Sequence, residues 1–237
     1  MRIVAFGIHP DDIELGCGGT VVVCRRLGHD VILVDLTRGE ASTNGTPDQR
    51  AREAIAAAAI LGCDTRLNAG LPDAGVMGDS ESQQRIVTSI IRSNRPDLVI
   101  YSTADDPHPD HIAGAALIER GIELAGDDDY ETNGGADVWS ETASVVYGVR
   151  RQTKPDVVVD ITGCVSDKQR AIAAHASQFV RGEGAKPTNI NSDGFLDMIV
   201  ERDRQNGQLI GVDYGEGFSA PDPSGLKGIN IFRTSNE

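Results

Sequence analysis

Ile3-Val-Ala-Phe-Gly-Ile-His9-Pro10-Asp11-Asp12-Ile13-Glu14 decides how this chain folds. The first half is an apolar, partly β-branched run, the pattern of a strand buried on both faces. The second half sets a histidine, a proline, two adjacent carboxylates and a third carboxylate directly behind that strand. Open α/β sheets bind ligands just outside the carboxyl ends of their strands. The densest chemistry therefore lies where such a fold uses it. The pattern returns downstream. Asp97-Leu-Val-Ile-Tyr101 reads as a second buried strand, and a short loop leads from it to His108-Pro109-Asp110-His111. Two strands that end in His/Asp clusters can meet near the middle of one parallel sheet. The two stretches read as one metal site assembled from two strand ends.

The elements between and after them alternate. Helical spacing and glycine stops give helices over 17–27 and 51–61, with Thr46 as N-cap before Pro47. Further helices are expected over 82–93, 112–124, 167–176 and 195–205. Strands are expected at 31–36, 65–69, 144–149 and 156–161. Residues 126–140 read as an acidic surface loop, and 182–193 as a polar loop suited to a lid or contact surface. The β-α-β-α order argues a parallel, doubly wound sheet with helices on both faces. At 237 residues the chain is expected to form one domain, 1–237.

Composition narrows the function. A net charge of −14 with no basic cluster argues against nucleic acid, because phosphate binding needs grouped Lys and Arg. Met1 leads straight into the first strand, with no leader-like segment. No apolar run approaches the ~18 residues of a membrane span. The expectation is a cytoplasmic protein with no membrane partner. Cys17, Cys24, Cys63 and Cys164 form no C-x-x-C pair and read as buried, reduced thiols.

The chemistry of the two clusters follows from residue type. A catalytic zinc site uses three protein ligands and keeps a position for water. Adjacent Asp11 and Asp12 diverge in a non-helical turn, so that one can bind metal while the other takes a proton from the attacking water. His108-Pro109-Asp110-His111 has the form of a helix start, with both histidines on one face. One can bind metal; the other, held by a carboxylate, can stay protonated and stabilise an oxyanion. His29 reads as a surface residue and His175 as a packing residue.

The two histidine motifs resemble the LmbE/PIG-L family of zinc-dependent sugar N-deacetylases. Asp35-Leu-Thr-Arg38-Gly-Glu40, Asn44-Gly-Thr46 through Arg50, Gly70-Leu-Pro-Asp73, Ser177-Gln178-Phe179 and Gly211-Val-Asp-Tyr214-Gly-Glu216-Gly-Phe218 are similar to its bacillithiol-biosynthesis branch, which deacetylates N-acetylglucosaminyl-malate. The resemblance implies a Rossmann-like, LmbE-like α/β fold and zinc ligands His9, Asp12 and His111. It implies Asp11 as general base and His108 as the cation polarising the amide carbonyl, oriented by Asp110. Glu14 matches a motif carboxylate that supports the site or contacts sugar, and Arg50 matches a position expected to bind substrate. The implied partner is a small amino-sugar conjugate, and the implied assembly a homo-oligomer, trimer or hexamer. His/Asp sites also accept Fe, Mn or Co. Three positions depart from the branch. Pro107 replaces an Arg, Phe195 stands where some relatives have tyrosine, and Gln205-Asn206 replaces an aromatic pair. They leave the aglycone open and give no tyrosine a role.

Two other readings compete. Gly16-x-Gly18-Gly19 after a strand, with Asp35 ending the next, suggests a dinucleotide site. Its glycines, however, fall well beyond the turn that leaves the strand, and the full motif is absent. A catalytically silent sugar-binding module is the other reading, against which all the hydrolytic positions stand.

Overall fold

A computed structural model describes every residue except 133, 151–153, 183, 227–232 and 235–237, and it leaves out the side chains of 224, 225, 233 and 234. The elements run β1 (Arg2–Gly7), α1 (Asp12–Arg26), β2 (Asp30–Thr37), α2 (Pro47–Leu61), β3 (Thr65–Leu71), α3 (Glu81–Asn94), β4 (Leu98–Ser102), α4 (Pro109–Ala125), β5 (Ala143–Tyr147) and β6 (Val157–Asp160). There follow α5 (Val165–Ala174), the single turn α6 (Ala176–Phe179), α7 (Phe195–Leu209), β7 (Gly215–Ser219) and the two-residue β8 (Arg233–Thr234). One sheet holds the strands in the order β3-β2-β1-β4-β5-β7-β6-β8. The pairs β3-β2-β1-β4-β5 are parallel, while β7 runs antiparallel between β5 and β6. This is the expected doubly wound, mostly parallel α/β sheet.

Strand β1 shows why its sequence is apolar throughout. Ile3 and Ala5 face a core completed by α1, α2, α5 and α7. Val4 and Phe6 face the opposite core, completed by α3 and α4. A strand covered on both faces cannot alternate polar with apolar residues. The N-cap expected at Thr46 is present: its Oγ1 accepts from the Gln49 amide at 3.2 Å, with Pro47 in the first turn.

Two differences from the sequence reading bear on the site. Helix α1 begins at Asp12, five residues early, and breaks at Cys17, whose φ of −144° and ψ of 19° leave the helical range. Gly16 and Gly19 are packing positions, not part of a phosphate-binding turn. A Cβ on Gly16 would lie 2.0 Å from the Tyr147 ring, and one on Gly19 would lie 2.8 Å from Ile161. This packing stands against the dinucleotide reading, as the missing motif does. The second difference is β7, Gly-Glu-Gly-Phe-Ser, which lacks a strand-like composition. Glu216 on β7 accepts from the amides of Gly19 (2.9 Å) and Thr20 (2.6 Å) and pairs with Lys168 at 2.7 Å. Buried Glu216 thus satisfies backbone donors that the break in α1 frees.

The four cysteines are free and buried. Among the described residues, no helix is long and apolar enough to cross a membrane.

Candidate metal centre and active site

The order β3-β2-β1-β4 makes β1 and β4 neighbours whose following loops turn in opposite directions. A crevice opens at such a reversal, outside the carboxyl ends of the strands. Register pairs Ile3 with Leu98 and Ala5 with Ile100, so β1 and β4 deliver their downstream clusters to the same end of the sheet. His9, Asp11 and Asp12 come from β1 and the start of α1. His108, Asp110 and His111 come from the start of α4.

Three donor atoms converge there. His9 Nδ1 lies 3.3 Å from His111 Nε2 and 3.6 Å from Asp12 Oδ2, and His111 Nε2 lies 3.3 Å from Asp12 Oδ2. Tetrahedral ligands at about 2.0–2.1 Å from an ion stand about 3.3–3.4 Å apart. The triad therefore fits a small divalent cation. Asp12 is fixed by the amides of Ile8 (3.0 Å) and His9 (2.8 Å), both donating to Oδ2. The far nitrogen of His9 is also engaged, since Nε2 lies 3.1 Å from Asp73 Oδ1. The far nitrogen of His111, Nδ1, faces Asp106 Oδ2 at 3.5 Å, and neither atom has a closer hydrogen-bond partner among the described residues. Carboxylates behind metal-binding histidines fix their orientation and tautomer. A second grouping, His9 with His108 and Asp110, is also close enough to hold an ion. It lies on the Nε2 side of His9, which Asp73 already occupies, and so the Nδ1 triad is the better site.

The charges agree with a cation site. Burial alone would lower the pKa of His9, yet Asp110, Asp12 and Asp73 outweigh it and raise it well above the ordinary value. Burial likewise opposes ionisation of Asp12, and the two histidines overcome it and hold the carboxyl well below its usual range.

Asp11 lines a cavity of about 370 Å³ beside the triad. Its backbone φ of 148° is one that L-residues rarely adopt, and strain of this kind collects at functional positions. Burial raises its pKa, Asp12 adds to the rise, and the charge of Arg50 opposes it. Arg50 is itself buried. Its Nη2 donates to Pro10 O (2.8 Å) and Asp11 Oδ2 (3.2 Å), while Nε has no hydrogen-bond partner among the described residues. It lines the same cavity. Gly39 beside it has a φ of 64°, which L side chains rarely adopt, and a Cβ there would lie 1.9 Å from Arg50 Nη1.

Two expectations about the site change. Glu14, expected either to support the site or to contact sugar, has no exposed surface and so does not reach sugar. It forms a bidentate pair with Arg66 on β3, and its Oε2 lies 3.4 Å from His175 Nε2. Asp110, expected to orient the His108 ring, instead accepts from the Ala74 amide at 2.7 Å and lies 3.8 Å from His9 Nε2. His108 is the N-cap of α4, and its Nδ1 accepts from the Asp110 amide at 3.2 Å. Burial first, then the charges of His9 and His111, push its pKa below the ordinary value. An Nδ1 that accepts leaves Nε2 as the N–H donor of a neutral ring, so the expected standing cation is not what the geometry provides.

Asp73, Asp106 and His175 carry no site role in the sequence reading. Asp73 has a signal there, since it ends the quoted Gly70-Leu-Pro-Asp73. Burial works against its ionisation, but the bond to His9 prevails and lowers its pKa to about 2. Phe195, in place of a tyrosine, stacks on Phe179 at 6.3 Å and belongs to the core. The polar loop expected at 182–193 contributes Thr188, Asn189 and Ile190 to the cavity wall; residue 183 lies outside the described residues. Asn44 ties that loop to the one after β2. Its Nδ2 donates to Lys186 O and its Oδ1 accepts from Lys186 N, both at 2.9 Å.

The family model for PIG-L, GlcNAc-PI de-N-acetylase, matches residues 4–121, the span that holds both histidine clusters. The chain is 30% identical over 191 residues to diacetylchitobiose deacetylase of Thermococcus kodakarensis, covering 75% of this chain and 70% of that protein. It is 25% identical over 260 aligned positions to 1D-myo-inositol 2-acetamido-2-deoxy-alpha-D-glucopyranoside deacetylase of Rhodococcus opacus, covering 84% and 89%. The solved structure of a conserved protein from Thermus thermophilus matches with a TM-score of 0.82 at 33% identity, covering 93% of this chain and 94% of that one. With its paired histidine clusters at the β1/β4 crevice, this chain belongs to the PIG-L/LmbE family of deacetylases.

Proposed function

We propose that this protein is a metal-dependent hydrolase that removes the acetyl group from an N-acetylglucosamine conjugate. The observation that carries the reading is the His9–Asp12–His111 donor triangle with an unliganded carboxylate, Asp11, beside it in an open cavity. The favoured ion is zinc, held by those three residues, with Fe, Mn or Co as alternatives. When bound, it supplies Lewis acidity toward water and the amide oxygen. Asp11 accepts the proton of the attacking water, and its raised pKa suits a base that must later return a proton to the leaving amine. Arg50 holds Asp11 Oδ2 in place. His108 offers Nε2–H to the carbonyl oxygen as negative charge develops there. Asp73 and Asp106 hold the two histidines on their far sides.

For the aglycone, the branch-like stretches favour malate, as in bacillithiol biosynthesis. The long match to the inositol-conjugate deacetylase favours an inositol-type conjugate as second reading. Primary-amine release by zinc-reconstituted protein tests both, on N-acetylglucosamine, its malate and inositol conjugates, and N,N′-diacetylchitobiose, with and without chelator. Chelator-sensitive release from at least one is expected. Stoichiometric metal binding with no release from any would overturn the deacetylase reading.

A further inference from the structure

A second cavity, of about 380 Å³, adjoins the first, and the two share Val149 and Arg150 as a common wall. Its lining includes Arg150, Lys154, Arg202, Met198, Gln205 and Asn206, and no carboxylate among the described residues. In a chain of net charge −14, three cations line this recess with no acid among its described lining residues. A recess of one sign concentrates ligands of the other.

The three cations act differently. Arg202 is occupied. Its Nη1 donates to Gly148 O (2.7 Å) and Val149 O (3.1 Å), its Nη2 to Leu15 O (2.6 Å), and it pairs with Asp203 at 2.9 Å. It thereby fixes the backbone that presents Arg150. Neither Arg150 nor Lys154 has a hydrogen-bond or ion-pair partner among the described residues. The charge of Arg150 is felt by Asp106 across the first cavity, without a pair between them. Arg150 is half-buried, and a guanidinium that has lost part of its hydration and pairs with no anion favours a ligand that supplies one. The planar donors of Arg match a carboxylate or phosphate in bidentate fashion, and Lys adds a point charge.

We propose that this second cavity is the aglycone subsite and that Arg150 and Lys154 select an N-acetylglucosamine conjugate whose aglycone carries a carboxylate or phosphate. The inference rests on the deacetylase reading for the sugar end and adds the chemical class of the other end. It differs from an Arg immediately before the second histidine cluster, where this chain has Pro107. The positive charge here comes from residues that follow β5 in the chain.

The test compares kcat/KM on N-acetylglucosaminyl-malate (carboxylate), N-acetylglucosamine 1-phosphate (phosphate) and N,N′-diacetylchitobiose (neutral) for wild type, Arg150→Ala, Lys154→Ala and Arg150→Lys. The expected result is a preference for one anionic substrate, and the substrate that shows it identifies the anion. In Arg150→Ala the anionic-to-neutral ratio should fall about tenfold or more, mainly through KM, the scale of a lost charged hydrogen bond. Lys154→Ala should lower it less, and Arg150→Lys should restore part of it. A ratio unchanged in both alanine variants, or a wild-type preference for the neutral sugar, would overturn the proposal. If no substrate is turned over, the deacetylase reading has failed separately. Calorimetric binding of malate and of inorganic phosphate to wild type and to Arg150→Ala/Lys154→Ala then decides. Weaker binding by the double variant supports the subsite; equal or absent binding in both proteins removes it.

Discussion

Asp11 and Asp12 are neighbours in sequence with opposite electrostatics. Asp12 receives two backbone N–H donors and faces two histidines, which favour its charged form. Asp11 is buried beside that charge, and Arg50 is the main group opposing the rise in its pKa. Environments that push two carboxylates apart separate their roles. Asp11→Asn is accordingly expected to keep stoichiometric metal and lose about 10²–10⁴ in kcat, the range of general base catalysis. Metal analysis alongside steady-state kinetics checks this, and full turnover with metal bound would remove Asp11 from the mechanism. Asp73 acts through His9. Asp73→Asn is expected to weaken metal affinity by about 10–100-fold, as loss of a carboxylate behind a ligating histidine does. Competition against a chelator of known affinity measures it, and an unchanged affinity would leave Asp73 a role in local structure alone, such as its bond from the Ala41 amide at 2.8 Å.

Among the elements, β3 has a role its sequence hides. Thr-Arg-Leu-Asn-Ala-Gly-Leu forms the edge of the sheet with a mostly exposed pattern. Its Arg66 nevertheless reaches inward between two buried carboxylates, donating to Asp35 (2.7 and 2.8 Å) and to Glu14. This cross-brace joins β2, β3 and the first turn of α1, the turn that carries Asp12. Removing one partner of a buried pair leaves uncompensated charge. Arg66→Ala should therefore cost about 3–5 kcal/mol, read from the shift in a urea denaturation midpoint at constant slope. A shift below about 1 kcal/mol would place the pair among exposed ones. In α1, the break at Cys17 and the close approach of Gly16 to Tyr147 set the helix deep against β5. The Tyr147 hydroxyl donates to Phe6 O at 2.9 Å.

At the scale of the whole molecule, the four thiols sit in one core beneath the α1, α2 and α5 side of the sheet. Burial is the leading cause in each, and it pushes Cys24 and Cys63 up to about 12 and Cys17 well above the ordinary value. Thiolate is the reactive form, so at about pH 8 all four should resist a disulfide reagent until the fold opens. The labelling rate should then follow denaturant as global unfolding does. Rapid labelling of one thiol in the native protein would reveal local opening of that core. The same sheet that buries the thiols makes the site, because β1 and β4 are adjacent only through the crossover order of the strands.

Much of this was legible in the residues. Unbroken apolar runs at 3–8 and 98–101 mark strands covered on both faces, because no alternation survives double burial. Proline, glycine and Thr46 mark the helix ends through φ restriction and capping, and the two His/Asp clusters mark the strand ends that carry chemistry. These signals are local and survive in one dimension. What the chain alone left open depended on contacts between distant segments. Nothing near Glu14 in sequence shows that Arg66 and His175 enclose it, or that Asp110 turns toward Ala74 and His9 and away from His108. Nothing in Gly-Glu-Gly-Phe-Ser marks a strand; β7 pairs with β5 and β6, and its Glu216 meets the amides of α1 and Lys168. Sequence determined which side chains could do chemistry and roughly where each element lay. Tertiary structure decided their partners, because burial and charge pairing act between residues that only the fold brings together.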